Sequence, residues 1–167
     1  EGWLGPPDVS VLDAQVLLVR RYLGGFGPAT RAEIANWAGL PVRSVAAALD
    51  RIDHVTYAAE DGSTLVDLPD APLPDPASPV PVRFLPTWDA TLLVHARRAR
   101  ILPEAYRPKV FNTKTPHSVP TFLVDGSVAG TWRYEDGRVE LTEFNPLSRR
   151  VRREAEQAAD ALATFHR

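Results

Sequence analysis

The sequence predicts an α+β fold, and three observations support this prediction. Helical periodicity repeats in three consecutive segments between residues 11 and 52. Two β-prone runs meet at Asp61-Gly62 directly afterwards, and a proline-rich segment then separates them from a second group of strands and helices.

The first helix is predicted over residues 11–23, VLDAQVLLVRRYL. Its polar residues fall on one side, which is typical of a surface helix with one buried face. The glycines at 24, 25 and 27 follow at once, and we expect them to stop the helix.

A second, short helix is predicted to begin at Arg31. Thr30 and Glu33 have the spacing of a capping box, in which each side chain accepts a hydrogen bond from an unpaired backbone amide at the helix start. Gly39 should end the helix, because glycine tolerates the left-handed conformation of a tight turn. The residues expected to point inward are Ile34, Trp37 and Ala38.

Pro41 marks the start of a predicted third helix with one apolar stripe. The members of the stripe are Val42, Val45, Ala46, Leu49 and Ile52. The opposite face is predicted to carry Arg43, Ser44, Ala47, Ala48 and Arg51. Two arginines and a serine can read base edges, whereas alanines cannot, so the helix is either a recognition helix or a structural one.

Residues 55–68 are predicted to form a β-hairpin that turns at Asp61-Gly62, since this dipeptide favours a tight turn between strands. Helix, short helix, tight turn, helix and hairpin in this order predict a winged helix, a helix-turn-helix with a β-hairpin wing.

The chain is predicted to divide at a proline-rich linker. Residues 69–82 contain too many prolines for a helix or the interior of a sheet, so we expect an extended connection. It would join a winged-helix domain at 1–68 to a smaller α+β domain at 83–167.

The second domain is predicted to open with a helix that Thr87 or Asp89 caps and that runs to about Arg100. An irregular stretch should follow, and then an antiparallel β meander with turns at Asp125-Gly126 and Asp136-Gly137. A C-terminal helix is expected to start at Asn145-Pro146. Its predicted apolar face consists of Leu147, Val151, Ala155, Ala158, Leu162 and Phe165.

Charge is divided unequally between these domains. Residues 1–82 contain five Lys or Arg and eleven Asp or Glu, a net charge of −6, whereas residues 83–167 contain fourteen and ten, a net charge of +4. Because affinity for a phosphate backbone comes largely from Lys and Arg, the second domain is the better suited to grip DNA.

The basic residues predicted to contact DNA concentrate within eighteen positions of the second domain. They are Arg97, Arg98, Arg100, Arg107, Lys109 and Lys114. Only Glu104 interrupts them, and Tyr106 and Phe111 lie among them, a mixture expected of a nucleic-acid track. Arg43 and Arg51 of the third helix are further candidates. The alternative is solvated surface charge, which we favour for a second basic cluster at residues 149–153, with ion pairs to Glu154 and Glu156.

Local support for catalysis or for a metal is weak. Asp89, His95 and His117 could be imagined as an acid-base or phosphate-handling site, but an Asp in this context more often caps a helix. The four histidines lack metal-ligand spacing, and no P-loop, dinucleotide fingerprint or Gly-x-Ser-x-Gly elbow is present. We therefore predict no catalytic residue, metal site or cofactor within this chain.

Composition gives three further expectations. Cysteine is absent, which excludes disulfides and Cys-based zinc sites and favours a reducing, cytoplasmic setting. No run approaches the roughly 20 apolar residues of a membrane helix, so no membrane is expected among the partners. Methionine is also absent and Glu is first, so we expect the chain to be part of a longer protein.

Four blocks of the sequence resemble a bacterial family of tandem winged-helix DNA-binding proteins, many of them uncharacterised, that includes the AlkZ and YcaQ DNA glycosylases. The blocks are RRYLGGFGPATRAEIANWAGL, LVDLPDAP, RFLPTWDATLLVHARRARIL and FLVDGSVAGTWR. The resemblance implies winged-helix units around a concave DNA-facing surface, and a role in DNA repair by unhooking interstrand crosslinks. It also implies a catalytic motif in an N-terminal unit, in which one apolar residue separates a Gln from a second Gln or an Asp. Gln15 and Gln157 of this chain do not belong to such a motif.

Two hypotheses follow. In the first, the chain is the DNA-binding C-terminal part of a glycosylase-like repair protein whose catalytic residues lie upstream. In the second, it is a scaffold or protein-interaction module, whose acidic winged helix binds a partner, a missing N-terminal domain or another copy of itself.

Overall fold

The computed structural model describes residues 8–95, 99–112 and 117–166. It combines helices with antiparallel sheets, the α+β class that the sequence predicts. The chain divides into two compact units, Glu1–Pro74 and Asp75–Arg167, and the division lies within the proline-rich segment. We call them the first and the second unit.

The first unit contains helices α1 (Val11–Phe26), α2 (Arg31–Ala38) and α3 (Val42–Leu49), followed by strands β1 (Val55–Ala58) and β2 (Thr64–Asp67). The two strands are antiparallel. This is the order of elements that the periodicity predicts.

The predicted capping signals of α2 are present. The Thr30 amide donates to Glu33 Oε2 at 2.8 Å, and the Glu33 amide donates to Thr30 Oγ1 at 3.1 Å. At the other end Gly39 has φ +64° and ends the helix in the left-handed conformation. In the hairpin, Gly62 has φ +80°, as the turn at Asp61-Gly62 requires.

The first helix is longer than predicted, because Gly24 and Gly25 lie inside it. The Gly27 amide still donates to the Leu23 carbonyl at 2.9 Å. The ring of Phe26 packs against those of Tyr22 and Trp37, with centroids 5.6 and 6.4 Å away. These contacts stabilise a last turn that glycine alone would disfavour. Trp37 is thus a packing residue at the surface rather than an inward-pointing one, and Ala35 is buried beside Ile34.

The prediction of which α3 residues are buried is partly wrong. The buried residues are Val45, Ala48, Leu49 and Ile52. Val42 is half exposed, and Ala48, which was placed on the outer face, is fully buried. The helix packs against both α1 and α2, so its buried face is wider than one stripe, and Val42 at its first position lies at the edge of that face.

The second unit is built on a four-stranded antiparallel sheet. Strand β3 (Arg83–Leu85) pairs with β6 (Thr121–Val124), which continues into the meander of β7 (Ser127–Glu135) and β8 (Arg138–Glu143). Both predicted turns of the meander are present, with positive φ at Asp125-Gly126 and at Asp136-Gly137. Strand β3 was not predicted, since it has three residues and pairs far along the chain.

Shorter elements connect β3 to β6. They are α4 (Ala90–Leu93), a 3-10 turn (Glu104–Tyr106), α5 (Arg107–Val110), β4 (Phe111–Asn112) and β5 (His117–Ser118), the last two paired with each other. The prediction of a helix to Arg100 is wrong, because α4 ends at Leu93 and residues 99 and 100 form a turn. Ile101 instead accepts a hydrogen bond from the Val128 amide at 2.7 Å, which ties the chain to the sheet.

The C-terminal helix α6 (Arg149–Phe165) packs on β8. Its N-cap is Ser148, whose hydroxyl accepts from the Val151 amide, and not Asn145. The Asn145 amide group instead donates to the Tyr106 hydroxyl, which explains the wrong prediction. Ala155, Ala159 and Ala163 form the buried stripe, whereas Phe165, predicted inward, is 84% exposed at the helix end. Of the described helices, none is long and apolar enough to cross a membrane.

Candidate nucleic-acid interface

The eight residues predicted to contact DNA are distributed over both units. Arg97, Arg98 and Lys114 lie outside the described residues. Arg100, Arg107 and Lys109 belong to the second unit, where Arg100 and Lys109 are exposed and Arg107 is half-buried. Arg43 and Arg51 are exposed on and just after α3.

Lys109 is held over two aromatic rings. Its Nζ lies 4.8 Å from the ring centroid of Phe144 and 5.5 Å from that of Tyr106. The two rings are themselves in contact, with centroids 4.9 Å apart. Attraction between the ammonium and the ring faces fixes the side chain while leaving its charge at the surface. A cation positioned in this way loses less conformational freedom when it binds an anion than a free lysine does.

Arg107 is positioned by a similar contact. Its guanidinium carbon lies 5.2 Å from the ring centroid of Phe111, the first residue of β4. The rings of Tyr106 and Phe111 are partly buried against the apolar core of the second unit. These two aromatics, predicted to lie within a nucleic-acid track, therefore serve as supports for cations.

Of the two candidate arginines in the first unit, Arg51 has an acidic neighbour. Arg51 lies 3.9 Å from Asp13 of α1, a loose ion pair in which both side chains are mostly exposed. Ala47 lies between Arg43 and Arg51 on the exposed side of α3. Ala48 is buried and cannot contact a base. Of the outer face predicted for this helix, Arg43, Ala47, Arg51 and the half-buried Ser44 therefore remain accessible.

The second basic cluster, at the start of α6, contains an arginine that is already paired. Arg152 donates from Nε and Nη2 to the two carboxylate oxygens of Glu143, at 2.8 and 3.0 Å. Glu143 also accepts from the Leu147 amide at 3.0 Å. The hydrogen bond from Arg152, and then that from Leu147, lowers the pKa of Glu143. Glu154, expected to pair with these arginines, accepts from the Val82 amide.

Trp88, which directly precedes Asp89, is a further candidate that the sequence did not predict. It is half exposed, and its backbone has φ +61°, in the left-handed region. The Trp88 amide donates to the buried hydroxyl of Ser118 at 2.7 Å. Its ring meets that of His117 edge to face, with centroids 6.2 Å apart. The sequence contains a signal that could have identified Trp88 as a candidate, because it is an aromatic residue beside a helix cap and outside any apolar stripe.

Other chemistry receives little support from the structure. Asp89 Oδ1 accepts from the Thr91 amide at 2.8 Å and so caps α4. His117 lies against Trp88, and His95 borders a cavity of only about 10 Å³. Among the described residues, no group of three or more His, Asp or Glu side chains could hold a metal ion.

Comparison with known proteins supplies the identity of the family. The family model described as "DNA glycosylase AlkZ-like" matches residues 1–165. The chain belongs to the AlkZ-like DNA glycosylase family. The structure of the DNA glycosylase AlkZ of Streptomyces sahachiroi is similar to 98% of this chain, with a TM-score of 0.76 and 21% sequence identity. At this identity, the similarity shows a shared fold.

The chain spans 46% of the AlkZ chain to which it is similar. A search of curated proteins found no match. AlkZ-like membership agrees with the family that the four sequence blocks indicate.

Proposed function

We propose that this chain is the DNA-binding part of an AlkZ-like repair protein and that it holds duplex DNA. The catalytic residues would lie in another part of a longer polypeptide. We propose that this protein acts in the cytoplasm. The proposal draws support from the family and from the length of AlkZ, about twice that matched here. The absence of the glutamine motif around Gln15 and Gln157 agrees with it.

We interpret the first unit as a winged helix and residues 83–167 as a second domain. In the first unit, α2 and α3 would form the helix-turn-helix, and the hairpin of β1 and β2 would be the wing. The hairpin is anchored because Ala29 and Val66 exchange two backbone hydrogen bonds, of 3.0 and 2.8 Å. A rigid wing beside an exposed helix can lie along a phosphate backbone.

The observation that carries the proposal is the placement of Arg107 and Lys109 over aromatic rings. Both cations belong to the half of the chain with net charge +4. Phosphate groups of a duplex repeat along each strand, so a row of fixed cations can neutralise several of them and release their counterions. We propose that Arg97, Arg98, Arg100 and Lys114 also contact the DNA, and that Arg43 and Arg51 add weaker contacts.

The alternative is a protein-interaction module, and one observation favours it. Helix α1 exposes Val11 at 74% and Leu17 at 57%, in a half of the chain with net charge −6. Exposed apolar residues in an acidic half of the chain suit a protein partner or a second copy better than a phosphate backbone. This function predicts association that is insensitive to salt and no binding of DNA.

The test is a titration of fluorescent duplex DNA at low and moderate salt. A variant with Arg97, Arg98 and Arg100 changed to Ala should lose at least tenfold in affinity, about 1.4 kcal/mol or more. The matched control changes Arg149, Arg150 and Arg153 to Ala, which removes the same charge from α6. We expect the control to retain most of the affinity. Equal losses in both variants would show that net charge, rather than this surface, governs binding.

A further inference from the structure

We propose that Trp88 is a stacking residue that takes an unpaired base of DNA. The proposal rests on the function proposed above and adds a preference for DNA that contains unpaired bases over fully paired duplex.

The backbone of Trp88 is held in a conformation that a bulky residue rarely adopts. At φ +61° its β-carbon is crowded against its own backbone, at a cost that the surroundings must offset. On one side the Ser118 hydroxyl, 2% exposed, accepts the Trp88 amide hydrogen. On the other side Asp89 caps α4. The backbone that carries the indole is therefore held by Ser118 and by the cap of α4.

Trp88 is the most exposed of the described tryptophans, at 50%, against 40% for Trp37, and it also differs from them in how its ring is held. Trp132 donates from its indole nitrogen to the Leu85 carbonyl and packs edge to face on Phe84. Trp37 lies against Tyr22, with ring centroids 5.1 Å apart. Packing accounts for both, whereas half of the Trp88 side chain remains exposed. Strain at a half-exposed aromatic residue is typical of a binding site.

A cation lies on the same small ribbon that supports Trp88. Ser118 of β5 pairs with Phe111 of β4, and the Arg107 guanidinium lies over the Phe111 ring. One two-stranded ribbon thus anchors both an exposed indole and a cation. Single-stranded DNA offers the matching pair of groups, a base face for stacking and a phosphate for the cation. A fully paired duplex offers the phosphate but keeps its base faces stacked.

The test compares two duplexes of equal length, one fully paired and one with a single bulged 2-aminopurine. We expect the wild type to bind the bulged duplex about tenfold more tightly and to quench the 2-aminopurine fluorescence by stacking. Trp88→Ala should abolish the preference and the quenching, with most of the loss of affinity falling on the bulged duplex. Trp88→Phe should retain most of both. Alanine keeps a β-carbon, so the backbone strain is the same in Trp88→Ala and the wild type.

The control variant is Tyr134→Ala, which removes an exposed aromatic residue from β7 in the same unit. It should retain the preference. Salt-sensitive binding of the paired duplex without a preference for the bulge would overturn the role of Trp88 and leave the proposed function standing. No binding of either duplex at low salt would overturn both. An equal loss of affinity for the two duplexes in Trp88→Ala would also overturn the stacking role.

Discussion

The carboxylate of Asp67 packs so closely against Gly27 that a β-carbon at position 27 would lie 2.1 Å from Asp67 Oδ1. Asp67 is 2% exposed, at the end of β2, and Gly27 directly follows α1. The same β-carbon would lie 2.7 Å from the Leu23 carbonyl oxygen. Because one of these neighbours is backbone and the other is buried, neither can move aside easily.

We therefore expect Gly27→Ala to destabilise the first unit by about 2 kcal/mol or more, from overpacking. Gly25→Ala is the matched control. A β-carbon at Gly25 meets no atom of the protein within 4 Å, and Gly25 lies inside α1, where alanine favours the helix. It should raise the stability by about 0.5 kcal/mol. Chemical denaturation checks both changes, and equal stability of the two variants would contradict the packing argument.

Removal of two different hydroxyl groups should change the stability of the second unit in opposite directions. Thr121 is fully buried on β6, and its Oγ1 finds no hydrogen-bond partner among the described residues. Thr121→Val should therefore raise the free energy of unfolding by about 1 kcal/mol, since it removes an unsatisfied polar atom. Ser118→Ala should lower it by about 1 kcal/mol, because the Trp88 amide would lose its acceptor. A stability loss in Thr121→Val would show that its hydroxyl has a partner.

Local signals in the sequence predicted the elements that local interactions determine. The Thr30–Glu33 capping box and the Asp-Gly turns each depend on residues within four positions of one another. The hairpin of β1 and β2 could be predicted for the same reason. Short-range chemistry is visible in a single sequence, so these elements could be placed before the structure was known.

Elements that depend on distant partners could not be placed in this way. Strand β3 exists because it pairs with β6, well along the chain. Asn145 looked like a helix cap, but its amide bonds to Tyr106 of a different element. The role of Trp88 depends on Ser118, thirty residues away. The sequence therefore predicts which cations to consider, whereas the packing of Lys109 on Phe144 and the hydrogen bond that holds Trp88 join residues about thirty positions apart and became apparent only in the structure.

The ion pair between Glu143 and Arg152 predicts a pH dependence of stability in the second unit. The folded pKa of Glu143 lies below its usual value of 4.5, chiefly through the hydrogen bond from Arg152. Its contribution to stability is therefore complete above about pH 5 and is lost as the pH falls through the lowered folded pKa. Thermal unfolding of the wild type should accordingly show a falling midpoint as the pH is lowered below 5.

Glu143→Gln should lower the melting temperature near neutral pH by a few degrees, of order 4 °C, and should flatten its decline in acid. Glu140→Gln is the control, because the Glu140 pair with Arg133 is more than half exposed and should matter less. If the acid profile of Glu143→Gln matched that of the wild type, other carboxylates would be responsible for the decline.

The cations held over aromatic rings, Arg107 and Lys109, should each contribute to DNA binding through contact with phosphate. A cation that contacts phosphate contributes to the slope of log affinity against log salt, at about one unit per contact. Lys109→Gln and Arg107→Gln should therefore each reduce the slope by about 1 and weaken binding similarly for all DNA sequences. Arg133→Gln is the matched control, since the Arg133 Nη2 lies 2.9 Å from Glu135 and 2.6 Å from Glu140. An arginine already neutralised by two carboxylates releases few counterions on binding DNA, so its loss should leave the slope unchanged. A reduced slope in Arg133→Gln with an unchanged slope in Lys109→Gln would place the DNA on the β7–β8 hairpin instead of the surface of α5.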